Sequence, residues 1–213
     1  MSAPTGIGAA AQPSHFAFDA ENLARATTII ARYPAGRQAS AVLPLLDIAQ
    51  RQCGNWLPRA AMDHVSEMLG MPRIRVYEVA TFYTMFNLKP VGEHFVQICT
   101  TTPCWLRGSD EIVAACERKL GIHLGETTAD GRFTVIEVEC LGACVNAPMM
   151  QVGDDYYEDL TAERTEAILD ALVRGERPAP GSQTGRRTSM PAPGPTTLLD
   201  RAETAGIAPK TGR

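Results

Sequence analysis

From about Asp19 to Phe86, apolar residues recur every three or four positions, the period of an amphipathic helix. Asp19 is placed to cap a first helix carrying Leu23, Ala26, Ile30 and Tyr33, stopped by Pro34 and Gly36. A second helix follows Ser40, turns Leu45, Ile48 and Ala49 inward and ends near Gly54. Pro44 must sit in its first turn or kink it. A third begins at Pro58, a favoured first position, and carries Ala61, Val65, Met68 and Leu69 up to Gly70. A fourth follows Pro72. Its run Val76, Tyr77, Val79, Phe82, Tyr83 and Phe86 is apolar on more than one side, as expected of a helix buried in its own core or against a partner chain.

The period then shortens. His94 to Thr100 is expected to be a strand, and Ser109 to Leu120 a helix with Val113, Cys116 and Leu120 on one face. Arg132 to Glu139 alternates, with Phe133, Val135 and Glu137 on one side and Thr134, Ile136 and Val138 on the other. Met149 to Val152, Gly153-Asp154-Asp155 and Tyr156-Tyr157 predict a hairpin. Thr161 to Arg174 predicts a last helix with Ile168, Leu169, Leu172 and Val173. The order β-α-β-β-α is that of a compact α/β unit. After Gly175 the chain is rich in Pro, Gly, Thr and Ala without hydrophobic period, which predicts a tail. The expected fold class is therefore α+β: a flexible N-terminus (1–17), a helical bundle (18–90), an α/β domain (91–175) and an extended, partner-binding tail (176–213).

The 213 residues carry a net charge of −4, which argues against a general nucleic-acid binder. The charge is uneven. Arg174 to Arg213 holds seven Lys/Arg against three Asp/Glu, a net of +4, and leaves −8 on the rest. A basic tail on an acidic body suggests a tail that lies on some acidic surface. No stretch approaches the ~20 apolar residues of a membrane helix, so no direct membrane insertion is expected. Met1 to Pro13 has no positive n-region before an apolar run and no transit-peptide arginines. The expectation is a soluble protein of a reducing cytosol, where six cysteines are thiols, metal ligands or catalytic groups before they are disulfides.

Four of the six fall in two pairs, Cys99-x4-Cys104 and Cys140-x3-Cys144, each just past an expected strand. Adjacent strands lie ~4.8 Å apart, so two such loops at one sheet edge can bring four sulfurs together. Thiolates are the ligands of iron–sulfur clusters. Gly142, between the second pair, allows a tight turn and a close approach of backbone N–H groups. Cys104 precedes a helix by a few residues, and the positive end of a helix favours an anionic group. A zinc site of four cysteines competes on spacing. Disulfides suit a cytosolic chain poorly, and a thioredoxin dithiol would want C-x-x-C. Cys53 and Cys116 are expected to be structural thiols. His15, His64, His94 and His123 share no ligand spacing and are expected at the surface or satisfied in the core. Glu137 and Glu139 precede Cys140, and carboxylates near a cluster lower its potential. Asp154, Asp155, Glu158 and Asp159 fit a solvated acidic surface equally well.

The stretches CTTTPCWLRGSDEI and VECLGACVNAPMMQVGDDYYEDLT resemble the thioredoxin-like [2Fe–2S] ferredoxin family. Within it, the small iron–sulfur subunits of the NADH-oxidising module of respiratory complex I (NuoE type) are the similar branch. LLDIAQ, VYEVATFYTMF, the NLKPVGEH junction and RRTSMPAPGPTTL extend the likeness from Phe18 onward. The resemblance implies a short helical domain joined to a thioredoxin-like domain, and one [2Fe–2S] cluster held by Cys99, Cys104, Cys140 and Cys144. It implies two partners, a flavoprotein that binds FMN and NADH and a larger iron–sulfur subunit. The role implied is electron exchange with the flavin during NADH oxidation, on the cytoplasmic side of the bacterial inner membrane as a peripheral subunit. In that family the cluster sits beside the flavin but off the main chain of clusters, so storage of an electron or restraint of the flavin radical are both compatible roles. Related subunits of NAD-linked hydrogenases and formate dehydrogenases share the motif. A structural docking module with a four-cysteine metal site is the remaining alternative. No G-x-G-x-x-G follows a strand and no P-loop occurs; Gly6 to Gly8 has no preceding strand. The nucleotide and flavin are thus expected on the partner. The resemblance also implies a cis bond at Ala147-Pro148.

Overall fold

Asp19 starts the first helix as expected. Its carboxylate accepts the Asn22 N–H at 2.8 Å, satisfying a donor that the helix cannot, a contact worth ~1 kcal/mol. A computed structural model describes residues 12–191, 193–204 and 206. The expectations for residues 1–11, Gly6 to Gly8 included, and for the last residues of the tail lie outside the described residues. What is described divides into two units between Glu93 and His94.

The first unit holds four helices: α1 (Ala20–Ile30), α2 (Val42–Gln52), α3 (Arg59–Leu69) and α4 (Arg73–Phe82). Pro44 lies in the first turn of α2, where its missing N–H costs nothing. Leu45, Ile48 and Ala49 are buried with Ala26, Ala61, Val65 and Val76 in one core. Gly70 ends α3 in the left-handed conformation. Three expectations are corrected. Leu23 is exposed rather than inward. The segment before residue 18 is attached: Gln12 accepts the Arg59 N–H at 2.9 Å, and Phe16 and Phe18 pack edge-on against His64. The aromatic run of α4 is buried only in part. Val76 and Ala80 face the core, but the helix stops at Phe82, so the later residues leave its spacing. Phe86 turns back inside, whereas Phe82 is 76% exposed and Met85 also points out.

The second unit is built on a five-stranded sheet. Its strands are β1 (His94–Cys99), β2 (Phe133–Val138), β3 (Met150–Val152), β4 (Asp155–Glu158) and β5 (Gly181–Ser182), in the order β2-β1-β3-β4-β5. β1 and β2 are parallel, β3 runs antiparallel to both β1 and β4, and β5 is parallel to β4. The helices are α5 (Thr102–Leu106), α6 (Ser109–Leu120), α7 (Ala162–Val173) and a short α8 (Leu199–Thr204). Thr161 caps α7 through its side chain. Val96, Ile98, Val135, Ile112, Cys116, Ile168 and Leu169 form the core between sheet and helices. Burial pushes the Cys116 thiol up to about 12.

Here the corrections concern α5 and the tail. Five residues from Thr102 form a short helix that periodicity does not reveal, and Cys104 sits within it. The chain just beyond Gly175 stays on the domain. Gly181 and Ser182 add the strand β5, and Arg177 pairs with Asp155 at 3.0 Å. Arg177 and Arg186, two of the basic residues expected to seek an acidic surface, find carboxylates on their own domain.

Candidate metal centre

The register of the sheet assembles the site. Cys99, the last residue of β1, is paired with Val138, the last of β2, so the two parallel strands end together. Cys140 follows two residues later. β3 runs the other way and starts at the same end, where the Cys99 N–H donates to the Met149 carbonyl at 3.3 Å. The bond before Pro148 is cis, as the resemblance implied. Cys99, Cys104, Ala147 and Met149 form a small buried cluster with Leu141, Ala143 and Tyr156 around it.

The sulfurs are arranged in the two expected pairs. Cys140 Sγ and Cys144 Sγ are 3.4 Å apart. Cys104 and Cys99 hydrogen-bond to each other, Cys144 feels the charge of Cys99, and Cys104 feels that of Cys144. Gly142 has φ +83°, which only glycine adopts without strain, and its N–H donates to Cys140 Sγ at 3.4 Å. The Thr101 hydroxyl lies 3.3 Å from Cys99 Sγ.

These contacts set the charge of the thiols. Burial opposes ionisation of Cys99, yet hydrogen bonds from the Thr101 side chain and from the backbones of Thr101 and Leu141 hold its pKa below the usual thiol value. Burial pushes Cys104 up to about 12, with the neighbouring Cys99 adding to the rise. Cys144 is raised by its hydrogen bond with Cys140, then by burial and the charges of Cys140 and Cys99. Raised thiols such as Cys104 and Cys144 become ligands only where a cation replaces the proton. Among the described residues, no three His, Cys, Asp or Glu side chains converge as ligands of a single ion. Two pairs with N–H groups aimed at sulfur fit a two-iron centre better than one zinc.

Cys116 and Cys53 lie apart from this site, one buried under α6 and the other capping α2. Of the histidines, His94 packs on Phe133, His123 pairs with Glu117 at 3.2 Å, and His64 is half-buried with its Nε2 shielded and unpartnered. The reading of Asp154, Asp155, Glu158 and Asp159 as a solvated surface fails at Asp159. Its side chain is 6% exposed and pairs with Arg186 at 3.0 Å. Glu158 accepts from the Asn146 amide at 2.6 Å. Arg107, Arg164 and Arg186 line a cavity with Ala147, Pro148 and Asp159, so the Asp159 carboxylate offsets part of the positive charge gathered there. Sequence reasoning missed Thr101, Asn146, Tyr156 and Arg186. Thr101 sits inside the C-x4-C loop and Asn146 two residues after Cys144, both open to notice; Tyr156 and Arg186 act from a distance in sequence.

The family model for thioredoxin-like [2Fe–2S] ferredoxins matches residues 26–173. The chain belongs to that family. Its cofactor is a [2Fe–2S] cluster, and its fold is thioredoxin-like. The E subunit of the NADH-quinone oxidoreductase of Rickettsia bellii (strain RML369-C) is 62% identical over 159 residues, spanning 75% of this chain and 95% of the relative. NADH dehydrogenase [ubiquinone] flavoprotein 2, mitochondrial, of Dictyostelium discoideum is 52% identical over 185 residues, spanning 87% of this chain and 75% of the relative. A crystal structure of an NAD+-reducing [NiFe]-hydrogenase in the air-oxidized state shares the fold. Its TM-score is 0.54 at 22% identity, over 61% of this chain and 23% of that chain. No helix among the described residues is long and apolar enough to cross a membrane.

Proposed function

We propose that Cys99, Cys104, Cys140 and Cys144 hold the [2Fe–2S] cluster, one iron per pair, and that the chain is the small electron-transfer subunit of an NADH:quinone oxidoreductase. The observation that carries this reading is the common end of β1 and β2, which brings both cysteine loops of a ferredoxin-family chain to one point. The identity of 62% to a subunit of that oxidoreductase favours it over the hydrogenase assembly, to which the likeness is one of fold.

A bound [2Fe–2S] group supplies a centre that gains or loses one electron. The residues of this chain determine how readily. Backbone N–H groups of Leu141 and Gly142 and the Thr101 hydroxyl donate toward sulfur and stabilise negative charge there. The buried pair Cys99 and Cys104 faces the low-polarity interior, while Cys140 and Cys144 are exposed. The exposed pair is the side from which an electron arrives or leaves. Trp105, Leu106 and Val145 are exposed apolar side chains adjoining the cysteine positions in sequence, as suits a face covered by another subunit.

The partners in this reading are a flavoprotein that binds FMN and NADH and a larger iron–sulfur subunit. The helical bundle and the outer tail complete the attachment. The chain itself has no complete active site, and the assembly lies on the cytoplasmic side of a bacterial inner membrane as a peripheral part. The test is the visible and EPR spectrum of the purified chain with iron and sulfide assays, repeated with NADH after adding the flavoprotein. Two irons and two sulfides per chain, reducible by NADH only in the complex, are expected. One zinc per chain and no sulfide would overturn the reading.

A further inference from the structure

Cys144 opens a single 3-10 turn, Cys144–Asn146, that the sheet itself does not hold. The turn is tied down from residues about forty positions later. Arg186 Nη1 donates to the Val145 carbonyl at 3.1 Å and to Asn146 Oδ1 at 3.1 Å. The Asn146 amide donates to the Thr188 carbonyl at 2.9 Å and to Glu158 at 2.6 Å. Asn146 is buried, and its amide hydrogens and oxygen are all used. The Asp159 N–H adds a bond to the Asn146 carbonyl at 2.7 Å.

The strap that carries Arg186 is itself fixed. Gly181 and Ser182 pair with β4, the Ser182 hydroxyl donates to Asp159 at 2.6 Å, and the Arg186 N–H returns to Ser182 at 3.2 Å. Arg186 Nη2 then meets the same Asp159 carboxylate at 3.0 Å. One guanidinium therefore bridges the buried carboxylate and the two residues that follow Cys144.

The choice of arginine is informative. Its Nε is buried with no partner, which costs stability. A lysine would neutralise Asp159 without that orphan. Only the planar fork spans the carboxylate and the turn together. That orphan is tolerated where the turn needs holding, and Cys144 begins the turn.

We propose that Arg186 is a positioning residue for Cys144. By fixing the 145–146 turn it keeps the Cys144 sulfur in place to retain the cluster, and its positive charge raises the potential of the centre. This rests on the ligand assignment above. The segment after Gly175 is then part of the cluster's support as far as Thr188, and only the residues beyond it are free to serve a partner.

The test uses the full chain as purified with its cluster, comparing Arg186→Lys, Arg186→Ala and the double variant Asp159→Asn with Arg186→Met. The double variant removes both charges together, so that no buried carboxylate is left alone and folding is protected. Iron release to an excess of chelator, the EPR spectrum, the midpoint potential and the thermal unfolding midpoint are read together. Release about tenfold faster than in the unchanged chain is expected in all three, including Arg186→Lys, with the double variant unfolding at an unchanged temperature. A lower midpoint potential is expected in Arg186→Ala alone. Release rates that match the unchanged chain in Arg186→Lys and the double variant would overturn the proposal, as would faster release that only follows a lowered unfolding temperature. If the unchanged chain holds no cluster, the ligand assignment fails instead, and the two failures are distinct.

Discussion

The Tyr156 hydroxyl donates to the Leu141 carbonyl at 2.9 Å, joining strand β4 to the loop between Cys140 and Cys144. Leu141 is also the residue whose backbone N–H stabilises the Cys99 thiolate. One hydroxyl thus steadies a loop that serves both cysteine pairs. Tyr156→Phe keeps the ring but leaves that carbonyl unpaired, at a cost of about 1–2 kcal/mol. The expected outcome is a chain that still takes up iron but loses it faster to a chelator, measured by absorbance decay.

Serine at Cys99, Cys104, Cys140 or Cys144 is expected to abolish the cluster or weaken it severely. Serine at Cys53 or Cys116 is expected to leave it in place. Iron and sulfide content with the EPR spectrum decides between them. A Cys116→Ser chain without iron beside a Cys104→Ser chain that keeps it would make the ligand assignment wrong.

Cys116 supplies a separate check on the core. Its thiol is fully buried and pushed up to about 12, so at pH 8 less than about 0.1% is thiolate. No alkylation by iodoacetamide is expected in the folded chain, with full labelling in urea, read by mass spectrometry. Rapid native labelling would mean that the packing between α6 and the sheet opens readily.

The isolated chain is expected neither to oxidise NADH nor to retain flavin through purification, because it has no phosphate-cradling loop after a strand. Flavin present at one per chain would contradict this. Addition of the flavoprotein is expected to make the centre reducible by NADH, to an extent set by its potential.

Two truncations separate the inner from the outer tail. Ending the chain after Met190 keeps β5, Arg186 and Thr188, so folding and iron content are expected to be unchanged while capture of partner subunits at moderate salt declines. Leu198 and Leu199, both exposed, are then the apolar contacts removed. Ending it after Gly175 removes the strap as well and is expected to leave a chain that folds but sheds its iron. Undiminished capture by the first truncation would show that the outer tail is no anchor.

Much of this was legible in the sequence because it is written locally. Asp19, Pro44, Pro58, Gly70 and Thr161 mark helix ends by their own chemistry, and the alternation after Arg132 marks β2. The paired cysteines were legible because each pair lies within one loop. What was hidden is what depends on distant partners. Phe82 carries the apolar signal of a core residue, but it is the last residue of α4 and lies on the side of the helix away from Val76 and Ala80. The segment after Gly175 has the composition of a free tail, yet Asp159 and Asn146 bind it through contacts spanning 23 to 42 positions. Such contacts leave no period to read.

The two cysteine pairs differ in their access to water, and that asymmetry has a consequence for the lifetime of the protein. Cys99 and Cys104 are sealed under Met149 and Ala147, whereas Cys140 and Cys144 stand open. On the proposed ligand assignment, peroxide or a scavenger of iron must arrive from the outer pair. A partner covering that face would then guard against corrosion as well as conduct charge. A newly made chain is most vulnerable in the interval between acquiring its iron and being assembled.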